Sequence, residues 1–330
     1  MEPTTSAVPE NVLDLNEIRR AQERIQPYIK KTLLGRSDFL SKLLETNVFV
    51  KYELFQKTGS FKVRGAFNKI LDVAESERKN GVVAVSGGNH AQAVAYAARS
   101  LGVRAMIVMP ESTPDVYVNA TREYGAEVDL QPSISEAFAW TGRYRAEGMT
   151  FIHPFDDPLV MAGQGTLGLE LLEDQPDTTD VIVSIGGGGL ASGVAAALKQ
   201  SAPDIRVWGV ETEGADAMSQ AWSAGRPVEL PAITSIAKTL GAPAVSGATL
   251  KYTREYLENI TVVPDSEAVA AMVIFLERLK VITEPAASCT LAAALRIKEK
   301  FLPEDNVVLI LCGGNTGAAD LGGYLARFGG

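Results

Sequence analysis

The chain has 330 residues, 46% hydrophobic and 22% charged, which excludes a disordered chain and leaves room for more than one hydrophobic core. Forty acidic against 31 basic residues give a formal charge of −9, a balance that argues against nucleic acid or an anionic membrane surface as partner. No apolar run reaches the length of a membrane span, and the first residues lack the basic-then-apolar layout of a signal peptide, so a cytoplasmic location is expected.

In chain order, residues 1–13 read as a flexible arm. Asp14 followed by Glu17 resembles a capping box, and Ile18, Ala21, Ile25 and Ile29 share a face, so a helix begins near Leu15. Val48–Leu54 reads as a strand. Strand Val82–Val85, helix His90–Leu101, strand Ala105–Met109 and helix Val116–Tyr124 follow. Further on come strand Val181–Ile185, helix Leu190–Lys199, strand Ile205–Glu211, helix Ser266–Lys280 and strand Val307–Leu311. The strands are short, continuous apolar runs, as in sheets covered on both faces. Their alternation with helices predicts mainly parallel α/β sheets, with sites at the carboxyl ends of strands. There is no long internal repeat and no low-complexity linker.

The inventory of reactive side chains is narrow. Two histidines (His90, His153) and two cysteines (Cys289, Cys312) occur, with no CxxC, HxxxH or HExxH spacing, so the usual zinc chemistry lacks ligands. No GxSxG elbow accompanies a candidate base. The 30 glycines are ordinary in number, but their placement is not. Ser86–His90 (SGGNH), Ile185–Gly193 (IGGGGLASG) and Cys312–Gly317 (CGGNTG) each end a strand. One glycine after a strand is usually a turn; three clusters at equivalent positions argue for a site. Gly186–Gly189 ahead of an apolar helix lets backbone N–H groups converge on a phosphate without a lysine. The P-loop pattern is missing. GxGxxA is satisfied by Gly186, Gly188 and Ala191, with Glu211 about 20 residues on, which keeps a dinucleotide site open.

The segment Gln56–Ala66 (QKTGSFKVRGA) discriminates. A lone lysine is normally a solvated charge. This segment, however, resembles the SFKxRGA motif of the fold type II pyridoxal-phosphate enzymes, the threonine/serine dehydratase and serine racemase group. TGSFKVRGA, SGGNHAQAVAYAA, GGGGLASG, TEPAA and CGGN appear in the family's order over most of the chain. That ordered set outweighs the dinucleotide fingerprint. The cysteine synthase branch has a different lysine motif, so β-replacement is less expected.

The resemblance implies a tryptophan synthase β-like fold of two domains, each with a mainly parallel, helix-covered sheet. The large, pyridoxal-phosphate-binding domain would comprise residues 1–79 and 159–330, and the small one residues 80–158. Lys62 would form the Schiff base with pyridoxal phosphate and act as the base at the substrate Cα, with Phe61 packed beside the cofactor. Gly186, Gly187, Gly188, Gly189 and Leu190 would give N–H groups to the phosphate, and Asn89 would bond the ring 3-oxygen. Ser86, Gly87, Asn89 and His90 would line the loop that takes the substrate carboxylate; His90 has no acid–base role. Cys312 would face the pyridine nitrogen as a neutral partner, leaving a weaker electron sink that suits elimination. Glu284 would lie on the cofactor side. Cys289 reads only as a small buried residue.

The implied reaction converts a β-hydroxy-α-amino acid to a 2-oxo acid and ammonia in a homodimer. Three positions depart from the family. Gly87 stands where serine racemases of the group have a proton-carrying serine, so racemisation should be weak or absent. Lys238 replaces an acidic residue near the substrate side chain. It is either a surface lysine or the partner of a second substrate carboxylate, as in 3-hydroxyaspartate. In the structural cation site Glu211 and Ala215 match, but the third position is Ala217, with Asp216 one residue off. That site would hold Mg²⁺ or another divalent cation through the remaining oxygens and water, or be lost. The chain ends soon after CGGN, so isoleucine-type feedback through a further regulatory domain is not expected. The competing readings are an amino-acid racemase, an NAD-dependent oxidoreductase and a non-catalytic small-molecule binder.

Overall fold

The structure is a computed structural model that describes residues 13–328. Ten strands assort into two sheets: β1 (Leu34–Arg36), β2 (Asn47–Lys51), β3 (Val82–Val85), β4 (Ala105–Pro110), β5 (Glu127–Gln131), β6 (Thr150–Phe151), β7 (Asp180–Ser184), β8 (Arg206–Thr212), β9 (Asn259–Val263) and β10 (Asn306–Ile310). The larger sheet has the order β1-β2-β10-β7-β8-β9, and the smaller β5-β4-β3-β6. All neighbours run parallel except β1, a three-residue edge strand antiparallel to β2. Every residue of β3 and β7 is buried; helices cover both faces, which is why these segments read as unbroken apolar runs. Val48, Val183 and Leu309 lie in one core, and Phe67, Val82 and Ile107 in another. The architecture is the expected two-domain α/β one with parallel sheets. Among the described residues no helix is long and apolar enough to cross a membrane.

Most expected elements are present within a residue or two, and the differences have physical reasons. Residues 1–12 of the expected arm lie outside the described residues. Leu13 is not part of an arm: it is buried, and its carbonyl accepts from Gln200 at 3.1 Å. Asp14 Oδ1 accepts from the Glu17 N–H at 2.7 Å and starts the helix Leu15–Ile25. Glu17 does not complete the box but pairs with Arg20, and the helix stops before Ile29. The strand expected to reach Leu54 ends at Lys51, because the chain tightens into the 3₁₀ turn Glu53–Phe55. The helix expected over Ser266–Lys280 is α-helical over Asp265–Ile274, then widens into a π-turn, and Lys280 closes it at φ 63°.

Three buried helices were not among the expected elements: Val63–Asp72, Pro158–Asp174 and Pro285–Arg296. The second is buried along most of its length and so has no polar stripe to betray a helical period. Its glycines lower helix propensity yet let it seat closely; a Cβ on Gly163 would lie 2.6 Å from Gly65 Cα. These helices hold the loops described next.

Candidate active site

The chain leaves β2, turns through Thr58 (φ 62°) and Gly59 (φ 71°), and reaches Lys62 just ahead of the helix Val63–Asp72. Two contacts fasten this loop to the end of β10: Ser60 pairs with Gly313, and the Phe61 N–H donates to Cys312 O at 3.1 Å. Lys62 Nζ donates to Pro154 O at 2.8 Å and lies 5.2 Å from the centre of the buried Phe61 ring. Burial lowers the Lys62 amine to about 8, although Cys312 and Glu284 pull the other way. An amine so placed is a usable base near neutrality.

Arg64, in the same motif, holds the base of this loop. Its guanidinium is fully buried and grips Glu53 at 2.8 Å through Nε and Nη2. It also grips Glu170 at 2.7 and 2.8 Å through Nη1 and Nη2. Lys51 Nζ joins at 2.7 Å from Glu170. Burial alone would raise the Glu170 carboxyl; Arg64 and Lys51 hold it below the usual carboxylate range. Sequence reading assigned Arg64 no role, because an arginine that follows a lysine looks like surface charge until its two carboxylates are placed.

The glycine run Gly186–Gly189 ends β7 and opens the helix Gly189–Ser201. Gly188 has φ +92°, and a Cβ there would lie 2.6 Å from Met218 Cε; at Gly187 it would lie 2.2 Å from Phe155 Cδ1. The backbone therefore has to stay bare, and with Leu190 it presents helix N-terminal N–H groups that lack intrahelical partners. Farther along, Gly193 serves packing: a Cβ there would lie 2.2 Å from Met161 O.

The loop Ser86–His90 opens the helix Asn89–Ser100, with Ser86 Oγ accepting from the Gly88 N–H at 3.1 Å. Asn89 Nδ2 donates to Glu284 at 2.8 and 3.1 Å. Thr239 Oγ1 donates to the same carboxylate at 2.7 Å, and the Asn315 N–H does so at 3.0 Å. Asn315 is the hub that sequence reading missed. Its Nδ2 reaches Asn89 Oδ1 at 2.7 Å and Thr58 O at 2.8 Å, and its carbonyl accepts from Tyr117 Oη at 2.9 Å. The CGGN motif contained the signal, but a turn asparagine is uninformative without its partners. Burial raises the Glu284 carboxyl above its ordinary value, against these donors and Lys62.

His90 Nε2 lies 2.9 Å from Ile152 O. Burial, then the Lys62 charge, pushes His90 down to about 3, so its ring is neutral at physiological pH. Cys312 is buried, with its thiol raised well above the usual range by burial and then by Glu284; it stays a neutral thiol. Cys289 is a buried small residue 3.6 Å from Ser184 Oγ.

The other sequence-derived positions fare differently. Lys238 is exposed on the 3₁₀ turn Lys238–Leu240, next to Thr239. Glu211 has a structural task of its own. Its two oxygens accept the N–H groups of Met218 and Ser219 at 2.9 and 2.7 Å, so it caps the helix Ala217–Ala224. Asp216 meets Gln220 instead, at 3.1 Å, and the Ala215 N–H returns to Thr212 O at 2.9 Å. Among the described residues no group of three or more His, Cys, Asp or Glu side chains could hold a metal ion. A cation at Glu211 and Ala215 would therefore rest on one carboxylate together with backbone oxygens and water.

Pyridoxal phosphate fits what remains. An amine, a bare-backbone phosphate cradle and a neutral thiol are joined by buried hydroxyls of Thr58 and Ser60 that lack hydrogen-bond partners, the state expected of groups awaiting a polar ligand.

Comparison with known proteins agrees with this geometry. The sequence profile of the family described as pyridoxal-phosphate dependent enzyme matches residues 25–313. The L-threonine ammonia-lyase of Thermotoga maritima is 39% identical over 92% of this chain and 76% of its own. The catabolic L-threonine dehydratase TdcB of Staphylococcus aureus is 38% identical over 96% of this chain and 92% of its own. Among solved structures, maize serine racemase superposes with a TM-score of 0.91 at 37% identity, covering 96% of this chain and 98% of that one. The T.th. threonine deaminase gives 0.86 at 38% identity, covering 92% of this chain and 99% of that one.

Proposed function

The chain belongs to the pyridoxal-phosphate-dependent enzyme family, and on that footing we propose an ammonia-lyase that turns β-hydroxy-α-amino acids of the threonine and serine type into 2-oxo acids and ammonia. The observation that carries this is Lys62: one amine, lowered to about 8, in a loop bonded to the end of β10. When bound, pyridoxal phosphate supplies an aldehyde for amine linkage and a ring that withdraws electrons from the substrate Cα.

The chain's own residues do the rest. Lys62 anchors the cofactor and, as a neutral amine, takes the proton at Cα. Gly186, Gly187, Gly188, Gly189 and Leu190 would hold the phosphate by backbone N–H groups, and Phe61 would wall the ring. Asn89, kept in place by Glu284 and Asn315, would bond the ring oxygen. Cys312, a neutral thiol, would face the ring nitrogen without protonating it, which would favour loss of the β-hydroxyl. Ser86, Gly87, Asn89 and His90 receive the substrate carboxylate, largely through backbone, and His90 stays neutral. Gly87 offers no side-chain acid to the opposite face of Cα, which supports the lyase over the racemase. Lys238, exposed beside Thr239, would meet a second carboxylate such as that of 3-hydroxyaspartate.

The reading includes a cytoplasmic homodimer with a small domain over residues 80–158. All four strands of the smaller sheet fall in that interval, which supports the division. Exposed Leu33 and Phe55 near the edge strand β1 support self-association. The test is a 2-oxo-acid assay with serine, threonine and 3-hydroxyaspartate on wild type and Lys238→Ala, alongside borohydride labelling. Label on Lys62 with product from at least one substrate supports the reading; a colourless protein that releases no product overturns it. Unchanged relative rates in Lys238→Ala remove that residue from substrate recognition.

A further inference from the structure

Thr113 closes the turn after β4, its N–H donating to Pro110 O at 2.9 Å, just before the helix Asp115–Glu123. The residue is only 9% exposed, and its hydroxyl has no hydrogen-bond partner. A buried hydroxyl left in that state needs an explanation. Its direction supplies one. Oγ1 lies 2.5 Å from where a Cβ on Gly87 would stand, so it fills space that a side chain at position 87 would occupy.

The second observation is the backbone beside it. The 12-residue helix Asn89–Ser100 begins here, and its first-turn N–H groups have no intrahelical partners and carry the positive end of the helix dipole. An unpaired hydroxyl and a helix N-terminus thus lie against the same loop. A carboxylate answers both, because it presents several acceptor lone pairs.

We propose that Thr113 is a substrate-binding residue whose hydroxyl donates to the α-carboxylate of the amino acid at the loop Ser86–His90. This rests on the reading of that loop given above and adds to it a side-chain donor from the turn after β4. Thr113 and Gly87 then form a coupled pair: the hydroxyl reaches the loop because position 87 carries no side chain.

The test titrates cofactor-loaded enzyme with glycine, followed by the cofactor's absorbance; glycine has a carboxylate but no β-leaving group. Thr113→Val, nearly the same shape, should weaken glycine about tenfold, the loss of one hydrogen bond to a charged group. It should leave cofactor affinity and glycinamide binding unchanged, and raise KM with little change in kcat. Thr113→Ser should bind glycine as wild type does. Moving the hydroxyl, in Gly87→Ser with Thr113→Ala, should recover what Thr113→Ala alone loses. The proposal falls if Thr113→Val binds glycine like wild type, or loses glycine and glycinamide equally. A wild-type enzyme that takes up no pyridoxal phosphate, or does not respond to glycine, overturns the reading of the site as well.

Discussion

Replacing Arg64 with Gln tests whether the buried ion network is what fixes the Lys62 loop. Arg64 bonds Glu53 and Glu170 through two N–H groups each, with all three side chains almost wholly enclosed. In the variant Glu170 keeps Lys51 at 2.7 Å, whereas Glu53 keeps only the Thr32 hydroxyl at 2.5 Å. Removing one member of a buried ion pair costs about 3–5 kcal/mol, and the near-complete loss at Glu53 points to the upper part of that range. Urea unfolding at pH 7, followed by tryptophan fluorescence with cofactor in excess, should show a loss of unfolding free energy of that size. The pH dependence follows from Glu170, which Arg64 and Lys51 hold below the ordinary carboxylate range. Such a group stabilises the fold above its unfolded pKa, about 4.3, and loses that contribution as pH falls through the folded value. The difference between wild type and variant should therefore be full at pH 7, begin to shrink only below about 4, and be clearly smaller at about pH 3. Arg64→Lys should not rescue, since one ammonium cannot grip two carboxylates bidentately. A loss below about 1 kcal/mol, well short of what unpairing a buried charge costs, would refute the reasoning. So would a deficit that is the same at both pH values.

Three shorter expectations accompany it. Because burial lowers the Lys62 amine to about 8, covalent uptake of pyridoxal phosphate should speed up as pH rises toward 8 and level off above it; stopped-flow absorbance reads this, and Lys62→Ala should show no attachment. Glu284→Gln puts an amide N–H against donors from Asn89, Thr239 and Asn315, and about 1.5–3 kcal/mol per lost charge-assisted bond should weaken cofactor affinity by tenfold or more, measured by fluorescence titration. Exhaustive dialysis against EDTA should leave the unfolding midpoint and the deaminase rate unchanged, since Glu211 is already occupied by two backbone N–H groups; a drop restored by Mg²⁺ would contradict that.

The sheet class, most of the strands and the amine proposed to react were legible in the chain before it folds. Strands covered on both faces must be continuously apolar, so β3, β7 and β10 stood out by their runs of Val, Ile and Leu. Glycine clusters at strand ends marked where backbone has to stay bare, as Gly187 and Gly188 now show by the atoms a Cβ would strike. The helix Pro158–Asp174 was not legible, because burial on nearly every side erases amphipathic period. Which polar residues hold the site was settled by the folded arrangement alone. Arg64 and Asn315 act through partners 11 to 257 residues away in the chain, and Thr113 stands out by the absence of one. The same arrangement shows Glu211 capping a helix. A carboxylate's role is set by the donors that reach it, and those are fixed when the chain folds.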